Sequence, residues 1–196
     1  MSPARPVARL VLGVSGASGS IYARRLLDFF AATHAAEVAV VFSKTGRLVW
    51  NDEVGTDPAA YGFPIYSPGD LTAPFASGSA LFDAMVVAPC SANAMGRIAH
   101  GVSSDLLGRA ADVMLKERRP LVLVLRETPF SLVHCRNMVA VTEAGATIMP
   151  ASPSFYSHPQ TVDALVDTVV ARILDHLGFD NALMARWSGQ LLGGRS

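Results

Sequence analysis

The chain is poor in charge. Lysine, arginine, aspartate and glutamate make up 16% of its 196 residues, below the usual share of about a quarter. The two signs balance, 16 basic against 16 acidic, and the formal net charge is zero. Nothing there attracts a nucleic acid or an anionic membrane surface, and neither is expected as a partner. Cysteine is scarce as well. Cys90 and Cys135 stand alone and give no disulfide framework. The five histidines lack ligand spacing, so no metal is expected. No apolar run reaches the length of a membrane span, and residues 1–6 have no signal-peptide core. A cytoplasmic protein is expected.

What the chain has in abundance is hydrophobic residues, 51% of the total. Its length suits one α/β domain over residues 1–196. So few charges leave apolar surface uncovered, which points to a homo-oligomer. Apolar runs at 9–14, 37–42, 84–88, 121–125 and 147–149 read as strands. Between them, helices are predicted over 20–32, through Leu48 to Trp50, over 93–115, over 130–144 and over 161–177. The last should bury Val162, Leu165, Val166, Val169, Val170 and Ile173, and a short helical piece is expected to run through Trp187. Residues 52–80 read as a loop rich in proline and glycine, long enough to suggest a function.

Continuous apolar strands alternating with helices imply a parallel sheet covered on both faces. Ligands in such sheets sit beyond the carboxyl ends of the strands. The residues there are Ser15, Gly16, Ala17 and Ser18; Ser43 and Lys44; Pro89 through Ala94; Arg126 and Glu127; and Ser154, Phe155 and Tyr156. The first group is the most informative. A small-residue turn lets a ligand approach the backbone, and the N–H groups that open the next helix lack intrahelical partners. The turn is neither a dinucleotide fingerprint, nor a Walker loop, nor a nucleophile elbow. A cation directly after an apolar strand makes Arg126 a functional candidate. Arg118 and Arg119 read as a solvated helix end, and Lys116 is not singled out by composition. Arg109 and Arg172 lie among apolar neighbours, able to pair with an acid or to reach an anion.

These blocks, in this order, resemble the UbiX-type flavin prenyltransferases over nearly the whole chain. The matching stretches include Gly-Val-Ser-Gly-Ala-Ser-Gly at 13–19, Ser-Lys at 43–44, Pro-Cys-Ser at 89–91, Lys-Glu-Arg-Arg-Pro-Leu at 116–121, Arg-Glu-Thr-Pro at 126–129 and Ala-Arg-Trp at 185–187. The resemblance implies a three-layer Rossmann-like (flavodoxin-like) fold, bound FMN and a homo-oligomer, usually a dodecamer. It implies transfer of the dimethylallyl group of dimethylallyl phosphate to N5 and C6 of reduced FMN, the product serving a UbiD-type decarboxylase. By the same resemblance Gly16, Ala17, Ser18, Ser43, Ser91, Ala92, Asn93, Ala94 and Arg126 would hold FMN. Arg109, Lys116, Tyr156 and Arg172 would clamp the prenyl phosphate, with Arg109 supplied by a neighbouring subunit. Ser18, Glu53 and Glu127 would handle protons, and Trp187 would line the prenyl site. The family usually carries threonine where Ala94 stands, and residues 53–76 look short beside it. No Asp-Asp-x-x-Asp cluster is present to hold magnesium, so the leaving phosphate would be met by fixed cations and a phenol. Two other readings are a flavin-dependent decarboxylase of cysteinyl substrates and a non-catalytic flavoprotein. The first wants a histidine base, and the second would not need the phosphate clamp.

Overall fold

The computed structural model describes residues 7–187 and Gly189. Residues 1–6, the stretch without a signal-peptide core, lie outside them. Six strands form one wholly parallel sheet: β1 (Arg9–Val14), β2 (Glu37–Phe42), β3 (Ile65–Tyr66), β4 (Ala84–Cys90), β5 (Leu121–Leu125) and β6 (Thr147–Pro150). Their order is β3-β2-β1-β4-β5-β6. That is the order of the doubly wound nucleotide-binding folds, with the topological switch point between β1 and β4.

The strands form where they do because they are buried on both faces. From Leu10 to Val14, Val38 to Phe42, Ala84 to Cys90 and Leu121 to Leu125, every residue is buried. Side chains alternate across the sheet, so two cores result. Leu10, Leu12, Val40, Val86 and Val124 face α1 (Ser20–Thr33), α2 (Lys44–Glu53) and α6 (Val162–Leu177). Val11, Val41, Met85, Val87 and Leu123 face α3 (Ala92–Ala99), α4 (Leu106–Lys116) and α5 (Leu132–Glu143). The expected three-layer architecture is therefore present, and the sheet separates α6 from α4. Trp50, fully buried, packs edge-on against Phe42 and donates its indole N–H to Thr56 O.

Four local expectations need correction. The helix predicted over 93–115 is two helices, α3 and α4, because His100 and Gly101 end the first and Asp105 caps the second by accepting from Gly108 N. No helix forms between Gly178 and Trp187 among the described residues. The loop predicted over 52–80 contains edge strand β3 and two single turns of 3-10 helix. Val162 opens α6 two-thirds exposed and Leu165 is half-buried, whereas Val166, Val169, Val170 and Ile173 are buried as expected. Large apolar side chains remain exposed, among them Leu48, Phe130, Leu132, Val133 and Val139. No helix among the described residues is long and apolar enough to cross a membrane.

Candidate active site

The carboxyl ends of β1 and β4 meet at the switch point, and Ser15 ties them together. Its side chain is buried; it donates to Pro89 O at 2.9 Å and accepts from Ser91 N at 2.7 Å. The glycines around it answer to packing. A Cβ on Gly16 would lie 2.6 Å from the Thr45 side chain, and one on Gly46 would lie 2.2 Å from Val14 O. The β1 turn and α2 thus interlock at a distance that only glycine permits.

The start of α1 differs from the expectation of free donors. The Glu53 carboxylate, at the end of α2, accepts from Gly19 N and Ser20 N, both at 2.8 Å. The Ser18 hydroxyl also favours the ionised form of this carboxylate. Burial pushes the Glu53 pKa up, but these hydrogen bonds outweigh it and hold the carboxyl below its ordinary value. An anionic ligand cannot use those donors. Arg126 Nε donates to Ser18 O at 3.0 Å. Glu127, the next residue, accepts from Thr128 N at 3.0 Å.

The open helix ends are those of α2 and α3. Ser43 Oγ caps Gly46 N and Ser91 Oγ caps Ala94 N, leaving the first N–H groups of each helix without intrahelical partners. Both ends line one cavity of about 560 Å³, which brings together Gly16, Ser43, Ser91, Ala92, Asn93 and Ala94, with Glu127 on its wall. Ala17 and Ser18 follow Gly16 directly, and Arg126 precedes Glu127, just outside the lining. Pro68 and Gly69, from the stretch read as loop, also line it. Sequence reading missed Arg97, whose guanidinium reaches Ser104 Oγ and Asp105 Oδ2, each at 2.9 Å, beside this cavity. The Ser-Ser-Asp run was the available signal, since it marks a new helix start.

A second cavity, about 590 Å³, lies at the free edge of the sheet. Met149 and Pro150 from the end of β6, Ser152, Ser154 and Tyr156 beyond it, and Arg172 on α6 line it. Trp187 closes it, its ring edge-on to Tyr156 with centroids 5.7 Å apart. Here a phenol, a half-free guanidinium and an apolar indole face share one space. Such a set suits a small phosphate ester with an unsaturated tail.

Arg109 and Lys116 join neither cavity. They lie on α4, whose buried side is Leu106, Leu107, Ala110, Ala111, Val113 and Met114. Arg109 Nε donates to Ala76 O, and its guanidinium meets Asp112 at 3.3 Å. Lys116 pairs with Glu117, holding the Glu117 carboxyl below its ordinary range. The sheet stands between both cations and Arg172. Arg119, read as solvated, braces the 76–80 turn by donating to Gly78 O and Ala80 O. Cys90 is buried, which raises its thiol pKa to about 12, and Cys135 is exposed; both are free. No group of three or more candidate metal ligands occurs among the described residues.

Comparison with known proteins agrees with this layout. Residues 3–174 match the family model described as Flavoprotein. The flavin prenyltransferase UbiX of Synechocystis sp. is 44% identical over 203 residues, covering 94% of this chain and 98% of that protein. The flavin prenyltransferase UbiX of Methanocaldococcus jannaschii is 40% identical over 182 residues, covering 91% and 98%. The chain belongs to the UbiX-type flavin prenyltransferase family. Solved members superpose closely. AnUbiX (PadA1), crystallised with FMN and dimethylallyl pyrophosphate, gives a TM-score of 0.90 at 39% identity, covering 95% of this chain and all of that one. A dodecameric FMN-dependent UbiX-like decarboxylase from Escherichia coli O157:H7 gives 0.89 at 39% identity, covering 92% and 100%. The cysteine decarboxylase SpaF, at 19% identity and a TM-score of 0.59, shares the fold alone. Among the described residues of this prenyltransferase-family chain, no histidine lines either cavity.

Proposed function

We propose that this chain is a flavin prenyltransferase that moves the dimethylallyl group of dimethylallyl phosphate onto N5 and C6 of reduced FMN. The observation that carries the reading is the pair of cavities. One is built of hydroxyls and open helix N-termini, the other of a phenol, a guanidinium and an indole. The donor set of the first fits FMN. Gly16, Ala17 and Ser18 give close backbone approach, and Ser43, Ser91, Ala92, Asn93, Ala94 and Arg126 offer donors to its polar edge and tail. Ala94 brings no hydroxyl, so the Asn93 and Ala92 N–H groups carry that side. Reduced FMN supplies the electron-rich ring that accepts the prenyl group.

The protein's task is electrostatic and positional. Tyr156 and Arg172 bind the substrate phosphate and stabilise its charge as it leaves. Arg109 and Lys116 complete the clamp from a neighbouring copy of this chain, since α4 and α6 of one copy lie on opposite faces of the sheet. Trp187 gives the departing allyl group an aromatic face. Glu53, ionised, holds the Ser18 hydroxyl at the start of α1 and passes protons through it, and Glu127 stands on the flavin side. Such a clamp needs an oligomer, and a dodecamer is the assembly proposed. A UbiD-type decarboxylase is the proposed recipient of the product. Mass spectrometry of flavin extracted after anaerobic incubation with reductant and dimethylallyl phosphate tests the function. An FMN heavier by one prenyl unit is expected; unchanged FMN refutes it.

A further inference from the structure

Behind Trp187 lies a polar device that prenyl transfer does not itself require. The segment after α6 has no regular structure between Asn181 and Trp187, yet two of its side chains return to one carboxylate on α6. Asn181 Nδ2 donates to Asp175 Oδ1 at 3.0 Å. Arg186 grips both oxygens, Nη2 to Oδ1 at 2.8 Å and Nη1 to Oδ2 at 3.2 Å. Arg172, the proposed phosphate ligand, makes a single bond to Oδ2 at 3.1 Å. Asp175 therefore receives four hydrogen bonds from three side chains. They hold its carboxyl below the ordinary range, Arg186 foremost, so it stays ionised at neutral pH. Asp175, Asn181, Arg186 and Arg172 all line the second cavity.

We propose that Asp175 is a positioning residue, a latch that ties residues 181–187 to α6, keeps Trp187 over Tyr156, and parks Arg172 until a phosphate takes it. The inference rests on the prenyl-phosphate reading of this cavity. The geometry supplies the reasons. Arg186 precedes Trp187 in the chain, so fixing its guanidinium on α6 fixes the indole next to it. The two-pronged Arg186 contact is the stronger and more directional one. The single Arg172 contact is the one an incoming phosphate can replace. When Arg172 turns to the phosphate, Arg186 and Asn181 keep Asp175 neutralised, so releasing Arg172 strands no charge. The closed segment also spares the substrate much of the ordering it would otherwise impose.

The test compares the FMN-bound parent with Asp175→Asn, Asp175→Glu and Arg186→Gln. Trypsin cleavage after Arg186, mapped by mass spectrometry without substrate, reports the latch directly. Asp175→Asn is expected to speed that cleavage roughly tenfold and to raise KM for dimethylallyl phosphate roughly five- to tenfold, with FMN affinity unchanged. Arg186→Gln should reproduce the KM change, and Asp175→Glu should recover most of it. Parent-like cleavage and KM in Asp175→Asn would overturn the proposal. So would a KM change in Asp175→Asn that Arg186→Gln fails to reproduce, because Asp175 would then act on α6 or Arg172 alone. Should Asp175→Asn not fold, the exposed Arg186→Gln carries the test by its KM. If the parent prenylates no flavin, the reaction reading fails while the cleavage rates still decide the latch.

Discussion

Replacing Glu53 by glutamine separates a structural from a chemical role at one carboxylate. The parent carboxylate accepts two backbone N–H bonds at the start of α1, both at 2.8 Å. Both backbone bonds fall on one oxygen, Oε2, so glutamine can keep them through its amide oxygen but loses the negative charge that strengthens them. An ionised acceptor is worth about 1.5–3 kcal/mol per hydrogen bond when desolvated, and a negative charge at a helix N-terminus adds about 0.3–1 kcal/mol. Glu53 is largely exposed, so solvent screening cuts the total to about 1–2 kcal/mol. For a chain of this size that lowers Tm by roughly 2–8 °C. The pH dependence has a definite sign. The folded-state pKa of Glu53 lies below the ordinary 4.5. Its contribution is complete above that value and is lost as pH falls through the lower folded-state value. The Tm gap between parent and variant should therefore hold at neutral pH and narrow below about pH 4.5. Prenyl transfer at pH 7 should fall by about 10²–10⁴, the usual contribution of a general acid–base group. FMN affinity, measured by fluorescence titration, should change little. A variant that turns over at the parent rate, or whose Tm gap ignores acidification, would refute the reasoning.

Further outcomes follow from the same geometry. Arg109→Ala and Arg172→Ala should each be nearly inactive, and mixing them under subunit exchange should restore up to roughly a quarter of parent activity if sites are shared between copies; no recovery would place the whole clamp in one chain. Light scattering should report an assembly larger than a dimer. Gly46→Ala puts a methyl 2.2 Å from Val14 O and should cost about 2 kcal/mol or more, seen as a lower Tm in calorimetry and weaker FMN binding through the displaced Gly16 turn. Activity should survive EDTA, because the clamp uses fixed cations; loss in EDTA with recovery on adding magnesium would contradict that.

Some of this molecule was legible in the chain alone. The strands Arg9–Val14, Glu37–Phe42 and Leu121–Leu125 coincide with the sequence-based ranges, because burial on both faces demands unbroken apolar runs and such runs are local. Strand ends then marked Gly16, Ser43, Ser91 and Arg126, since a parallel sheet presents its ligand edge at the carboxyl termini. The cavity at the ends of β1, β2 and β4 was readable for that reason. Residues on helix faces were not. Arg172 and Arg109 look alike in sequence, each a cation among apolar neighbours, and only the assembled layers put α6 and α4 on opposite sides of the sheet.

Pairing was decided later still. Nothing local says that the Glu53 carboxylate caps α1, 33 residues away in sequence at Ser20. Nothing local joins Arg186 to Asp175, 11 residues back. The sequence by itself determined which segments are buried, and hence the sheet, its helices and its ligand edge. The tertiary structure alone decided which charges meet, because a hydrogen bond depends on distances of a few ångströms between chain segments that hydrophobic patterning does not encode.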